Sequence, residues 1–227
     1  MLALAAEAQL DLNPWNYWTP EGKPRESTVL ALQMIESAVQ LNPRHPGALH
    51  YYIHAVEEPD PKRAEGAADT LRDLVPSAGH LVHMPGHIYL RVGRYKDALD
   101  VNIKAGQVDT DYVEACRVQG FYAMAYHPHN WHFVWAAGQL AGMREQALLG
   151  AEKTGHLMHG HSPVDPMLGP IIQHFSLTPI YVATRFGMWD RVLAFPAPKA
   201  EAIYERAIHH YARGYMEIGR ASCRERV

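Results

Sequence analysis

The sequence feature that most constrains the fold is a segment that occurs three times, in which a glycine separates two helical patterns. The copies read RVGRYKDAL (residues 91–99), LAGMREQAL (140–148) and RFGMWDRVL (185–193). Glycine ends a helix in a tight turn without steric cost, and Ala98 and Ala147 at one equivalent position let paired helices approach closely. The repeated segment predicts an all-α chain built from antiparallel helix hairpins.

A fourth copy precedes these three, because Ala64 lies 34 residues before Ala98. Its turn reads EEPDPKR, where Pro61 is placed to begin the second helix of the pair. The later glycines are 49 and 45 residues apart, which indicates insertions in the Pro- and Gly-rich loops HPHN and HGHSPVDPMLGP. Upstream, LAAEAQLDLNPWNYW and STVLALQMIESAVQLNP predict two more helices, with Trp15 and Trp18 packing helix on helix.

Composition narrows the function classes. The 227 residues are 48% hydrophobic and 20% charged, which fits one domain with a sizeable core. With 21 Lys and Arg against 24 Asp and Glu, the chain lacks the excess of basic residues that nucleic-acid binding needs. No apolar run approaches the roughly 20 residues of a membrane helix and no basic leader is visible, so we expect a soluble protein, with the cytoplasm favoured and no membrane partner.

The last eleven residues, EIGRASCRERV, can be back-translated into a string that resembles a short-read sequencing adapter. We therefore expect residues 1–217 to form one helical repeat domain, part of a longer array, and residues 218–227 to be non-native. Removing that tail takes away three Arg and one Glu, which changes the counts of basic and acidic residues from 21 and 24 to 18 and 23, and the net charge from −3 to −5. Cys116 is then the only cysteine, and we expect it to be a small buried apolar residue.

A 34-residue helix-turn-helix period with Gly86 and Tyr89 followed by Ala98 resembles the tetratricopeptide repeat. The strings HPGALHYYIHAVEEPDP and AGHLVHMPGHIYLRVGRYKDA, with RFGMWD near the end, are similar to a bacterial group of such proteins that carry His-rich first helices. The resemblance implies an α-α superhelix whose first helices line a concave groove. It implies no particular reaction.

The chain has fifteen histidines, which is an unusually high number for its length. Six candidate metal-site residues lie on two predicted helices, three on each. His50, His54 and Glu57 are spaced i, i+4, i+7, and His80, His83 and His87 are spaced i, i+3, i+7, so each trio shares one helical face. In the repeat register His50 superposes on His83, His54 on His87, and His132 falls at the same position of a third helix. The candidate ligands of a transition-metal site in the groove are His50, His54, His83, His87, His132 and Glu57.

Imidazole with carboxylate suits Cu, Zn, Fe or Mn, and no Gly-rich phosphate loop or dinucleotide fingerprint points to a nucleotide cofactor. Other residues are expected to orient the ligands or to line the pocket. They are His80, His127, His129, Asn130, Tyr52, Tyr89 and Tyr126. Such a centre suggests a metal-dependent enzyme, redox or hydrolytic, that acts on a small molecule or peptide in the groove.

Two alternatives remain open. The histidines could be buried and hydrogen-bonded across helices, holding the repeats in register without a metal. The chain could also be a metal-free scaffold that holds a peptide or protein partner in the groove, as repeat proteins often do. A clamp for a peptide carboxylate would place Lys, Arg and Asn on the first helices, whereas this chain places His there.

Overall fold

The computed structural model describes residues 1–161 and 168–224, and within those ranges the chain is helical, with no β-strand. The prediction of an all-α fold is confirmed. The chain divides into two compact units, Met1–Asp111 and Tyr112–Val227. A single superhelical array through both units stays a prediction. No helix among the described residues combines the length and the apolar character that crossing a bilayer would require.

The first unit is built of helices, the last of which, α7, begins in this unit and ends just after its boundary. In chain order they are α1 (Leu2–Leu10), α2 (Glu26–Leu41), α3 (Pro46–Val56), a 3₁₀ turn (Pro61–Ala64) continued by α4 (Glu65–Leu71), α5 (Gly79–His83), α6 (Pro85–Arg91) and α7 (Tyr95–Cys116).

The second unit opens with a π-helical turn (Tyr122–Tyr126). It continues with α8 (His127–Leu140), α9 (Arg144–Leu157), α10 (Gly169–Ser176), α11 (Thr178–Arg185), α12 (Trp189–Ala194) and α13 (Ile203–Arg224). The HGHSPVDPMLGP insertion is described only at its ends, since residues 162–167 lie outside the described residues. The described part of the expected tail, residues 218–224, continues α13.

The glycine turns take the conformation that the sequence predicts. Gly93, Gly142 and Gly187 have φ values of 82°, 71° and 65°, a left-handed region that favours glycine. In each turn the residue after the glycine donates its N–H to the carbonyl five residues back at 2.8 Å: Arg94 to Tyr89, Met143 to Gly138 and Met188 to Ala183. Ala98 and Ala147 are fully buried. The turn is thus the same structure three times.

Helix α3 separates an apolar face from a histidine face. Ala48, Leu49 and Ile53 are buried in the core, whereas His50 and His54 lie on a partly buried face of the same helix. Pro46 starts the helix at a position where its missing N–H costs nothing, and His45 Nδ1 accepts the N–H of Ala48. The local sequence therefore fixes where the two imidazoles lie.

The helix predicted to carry His80, His83 and His87 is divided in the structure. Helix α5 ends at His83 and α6 begins at Pro85, because proline offers no N–H to the preceding turn. Met84 between them keeps helical angles, with φ −50° and ψ −41°. The chain thus continues in nearly the same direction, and His83 and His87 remain neighbours.

Cys116 corrects one expectation. It lies at the C-terminal end of α7 and is exposed, so the prediction of a small buried residue is wrong. A single cysteine with no helical pattern of its own carries no burial signal in sequence.

Candidate metal centre

Three imidazoles of the first unit form a compact group, because α3 carries His50 and His54 one turn apart and α5 brings His80 against them. Their potential ligand nitrogens all lie within 4.8 Å of one another. Nε2 of His50 and Nε2 of His80 are 3.2 Å apart. Two nitrogens bound at 2.0–2.1 Å to one tetrahedral ion would be about 3.3 Å apart. The spacing therefore suits a shared metal as well as a hydrogen bond.

Glu57 joins α3 to α6 through two imidazoles. One carboxylate oxygen lies 3.1 Å from Nδ1 of His54, and the other lies 2.7 Å from Nδ1 of His87. Arg91 Nε lies 3.5 Å from the second oxygen. Burial raises the pKa of Glu57, but the hydrogen bonds from His54 and His87 outweigh it and hold that pKa below its ordinary value. The carboxylate is thus ionised and accepts a hydrogen bond from the Nδ1–H of each ring.

Asn102 on α7 fixes the protonation of His83 in the same way. The Asn102 amide nitrogen donates to the carbonyl of Ala98 at 2.7 Å, so its oxygen faces Nδ1 of His83 at 2.6 Å. A backbone carbonyl can only accept, which settles which end of the amide meets the imidazole. The Nδ1 atom of His83 therefore carries the hydrogen. Both residues are fully buried.

These hydrogen bonds place two acceptor nitrogens opposite each other. When a neutral imidazole is protonated on Nδ1, its Nε2 is a lone-pair acceptor. Nε2 of His83 and Nε2 of His87 face each other at 2.8 Å, and both rings hold their hydrogen on Nδ1. Two lone pairs repel at that distance, so a cation, either a proton or a metal ion, belongs between them.

Burial keeps the neighbouring imidazoles neutral, which is the form that binds metals. Burial, reinforced by the other imidazoles, lowers the pKa of His50 to about 2 and that of His80 to about 4. Burial also lowers the pKa of His54, although its hydrogen bond to Glu57 acts in the opposite direction.

A small cavity of about 130 Å³ opens beside His54 and Glu57. Its other walls include Trp15, whose side chain lies edge-on to the His54 ring with 5.0 Å between ring centroids. Trp15 is 71% exposed and has a left-handed φ of 59°, which is costly for a residue with a Cβ. Trp18 anchors the same loop by donating its indole N–H to the carbonyl of Ala55 at 2.8 Å. The expected helix-on-helix packing thus does not describe Trp15.

The second unit holds a different histidine pair. Nε2 of His132 on α8 lies 3.2 Å from Nε2 of His174 on α10. Nδ1 of His174 lies 3.4 Å from the Tyr204 hydroxyl, which in turn lies 2.7 Å from that of Tyr181. Burial and the neighbouring His174 lower the pKa of His132 to about 3, and burial lowers that of His174. Within its unit, His132 thus has His174 as a partner.

The other predicted residues divide between the two units. In the first unit, His80 meets His50, the Tyr52 hydroxyl accepts from Arg63, and the Tyr89 hydroxyl donates to Asp69. In the second unit, Tyr126 stacks on Tyr122 and His129 contacts Phe133. His127 and Asn130 are buried there, and burial, together with Lys153, lowers the pKa of His127 to about 4. A single groove containing His50, His83 and His132 stays a prediction.

Sequence reasoning missed Asn102, His174 and the contact of Trp15. Asn102 lies 19 residues from its partner on a separate helix, and His174 lies 42 residues from His132. A polar residue on the buried face of an amphipathic helix was the available signal for Asn102.

Comparisons with known proteins do not assign a family to the chain. None of the family models, curated proteins or solved structures compared with the chain matches it.

Proposed function

We propose that the first unit is a transition-metal centre held by the imidazoles of α3, α5 and α6. The observation that carries the proposal is that Nε2 of His83 faces Nε2 of His87 while Nδ1 of each ring meets an oxygen acceptor, Asn102 or Glu57. The adjoining group of His50, His54 and His80 supplies further nitrogens within 4.8 Å of one another. A set of neutral imidazoles favours Cu, Zn or Fe over Mg or Ca, which prefer oxygen ligands.

Glu57 and Asn102 act in this proposal as the residues that orient the ligands. A carboxylate or carbonyl that accepts the Nδ1–H of a ligating imidazole fixes its tautomer and its ring and makes Nε2 a better ligand. Glu57 does this for His54 and His87 together, and Asn102 does it for His83. The carboxylate expected among the ligands is thus assigned to the outer layer, because both its oxygens already accept hydrogen bonds.

The cavity beside His54 gives the proposed centre access to a small molecule. Its 130 Å³ has room for only a few non-hydrogen atoms, given that a water molecule in the liquid takes about 30 Å³. A bound ion would supply Lewis-acid or one-electron chemistry there. Trp15 and Tyr17 would shield this position from bulk water.

Metal content tests the proposal with a matched pair of double variants. His54→Ala with His87→Ala removes two imidazoles from the first unit, and His132→Ala with His174→Ala removes two from the second. We expect wild type and the second-unit variant to retain about one equivalent of transition metal after dialysis, measured by mass spectrometry, and the first-unit variant to lose it. Circular dichroism checks that each protein is folded.

Only trace metal in folded wild-type protein, including after dialysis against added Zn²⁺ or Cu²⁺, would contradict the proposal. Equal retention by the two double variants would contradict it as well. In that case the cation between His83 and His87 is a proton, and the cluster holds helices in register.

A further inference from the structure

The second unit contains a cavity of about 410 Å³ among α8, α10, α11 and α13. This volume falls within the range of about 300–1,000 Å³ that is typical of small-molecule sites. It is separate from the metal centre proposed above, since all its lining residues belong to Tyr112–Val227.

Aromatic rings belong to half of its ten lining residues. Trp135 and Tyr181 stack with 5.8 Å between ring centroids and 27° between planes, and the His174 ring lies 5.8 Å from that of Tyr181. On α13, Tyr211 and Tyr215 stack in the same way at 6.1 Å. Two stacked pairs on different helices suit a flat apolar body, because an aromatic ligand can pack offset or edge-on against such rings.

One lining residue carries a formal charge, and it is positive. The described lining contains Arg185 and no Asp or Glu, and Arg185 forms no ion pair with a described acid. His174 adds no positive charge near neutral pH, because burial lowers its pKa. An anionic group on the ligand would therefore meet one unpaired guanidinium, the side chain best suited to carboxylate.

The polar groups around the cavity also have hydrogens to donate. The indole N–H of Trp135 is buried and has no acceptor among the described residues, an arrangement that is uncommon for a buried donor. The Gln139 amide adds another donor to the lining, whereas the Thr184 hydroxyl already donates to the carbonyl of Ile180 at 2.7 Å. A ligand with acceptor oxygens would complement this lining.

We propose that this cavity binds a small aromatic monocarboxylate, with its ring between the aromatic walls and its carboxylate at Arg185. The ligand class follows from the aromatic walls and the single positive charge of Arg185. The same aromatic walls would also suit a cationic ligand, but the positive charge of Arg185 would repel it.

Three naphthalene probes of similar size test the charge. They are 2-naphthoate, 2-naphthylmethanol and 2-naphthylmethylammonium, titrated into the full chain and followed by calorimetry. We expect 2-naphthoate to bind at least about tenfold more tightly than the alcohol, and the ammonium compound to bind most weakly. Arg185→Gln is expected to remove the preference for naphthoate, while Arg144→Gln, an exposed arginine of the same unit outside the cavity, preserves it.

A second pair of variants tests the location. Gln139→Trp fills the cavity from α8 and is expected to weaken naphthoate binding at least tenfold, whereas Leu140→Trp, next to it and exposed, leaves binding unchanged. Circular dichroism confirms the fold of each variant. The proposal is overturned if no probe binds, if the ammonium compound binds most tightly, or if Arg185→Gln and Gln139→Trp bind naphthoate as wild type does.

Discussion

The two units each bring imidazoles together, and they differ in what accepts the hydrogens on the rings. In the first unit the Glu57 carboxylate holds Nδ1 of His54 and of His87, and the Asn102 amide holds that of His83. In the second unit the neighbour of His174 Nδ1 is the Tyr204 hydroxyl, at 3.4 Å. Neither His132 nor His174 forms an ion pair with a carboxylate in the described chain.

This difference separates two uses of a buried histidine. A hydroxyl both donates and accepts, so the second-unit pair can satisfy itself with one proton between its rings. A carboxylate and an amide oxygen only accept, so His83 and His87, when neutral, turn their Nε2 lone pairs toward each other. Imidazole proximity alone does not indicate a metal site. In the proposed function, the acceptors behind the rings distinguish the first unit from the second.

The largest expected effect is on the stability of the metal-free first unit. Glu57→Gln in the presence of a chelator is expected to lower the free energy of unfolding by about 2–3 kcal/mol, because a buried charge-assisted pair of hydrogen bonds is lost. Glu58→Gln, the exposed neighbour, should change it by less than about 0.5 kcal/mol. Urea unfolding measures both, and equal losses would refute the role given to the carboxylate.

Metal affinity should respond to the amide in the first unit and not to the hydroxyl in the second. Asn102→Leu keeps the branched shape of the side chain but removes the acceptor for His83, so we expect a 10- to 100-fold weaker metal affinity. Tyr204→Phe removes the hydroxyl beside His174 and should leave that affinity unchanged. Competition with a chromophoric chelator measures the ratio. If both variants bind as wild type does, the comparison between the units fails.

Acid should act on the second-unit pair in a defined direction. His132 has a folded pKa of about 3, below its ordinary value of about 6.5, so the unfolded chain binds the extra proton between these values. Its contribution to stability is complete above about pH 6.5 and falls as pH drops, by about 1–2 kcal/mol at pH 5. His132→Phe should remove that part of the pH dependence. Urea unfolding at pH 7 and pH 5 tests this, and an unchanged difference would contradict it.

The smallest expected effect concerns the glycine turn that occurs in both units. Gly93→Ala in the first unit and Gly142→Ala in the second should each cost about 1 kcal/mol, because both glycines have left-handed φ angles. Thermal unfolding measures the two losses. A loss at one position only would mean that the repeated turn is not equivalent in the two units.

The sequence predicted the parts of the fold that depend on local rules. The glycine turns and the helices beside them follow from glycine conformation and hydrophobic periodicity, and the structure has them where expected. Helical spacing also predicted that His50 and His54 share a face, as do His83 and His87. These are neighbours within one helix or across one proline, so the period alone decides their position.

Contacts between helices were less accessible. The period predicted which face Glu57 occupies but not that it reaches His87 on α6, because that depends on how two helices cross. Asn102 and His174 were missed for the same reason. The left-handed backbone of Trp15 has no local signal either, since a tryptophan in that conformation is held there by the surrounding contacts.

The edge-on contact between Trp15 and His54 also gives the chain its own optical reporter. An indole 5.0 Å from a proposed ligand is close enough for a bound paramagnetic ion such as Cu²⁺ to quench its emission. Because this indole is exposed, it emits at longer wavelength than buried tryptophans such as Trp131 and Trp135, so its signal can be separated from theirs. Occupancy of the centre could thus be followed by light emission in unlabelled protein, with Trp15→Phe as the silent reference.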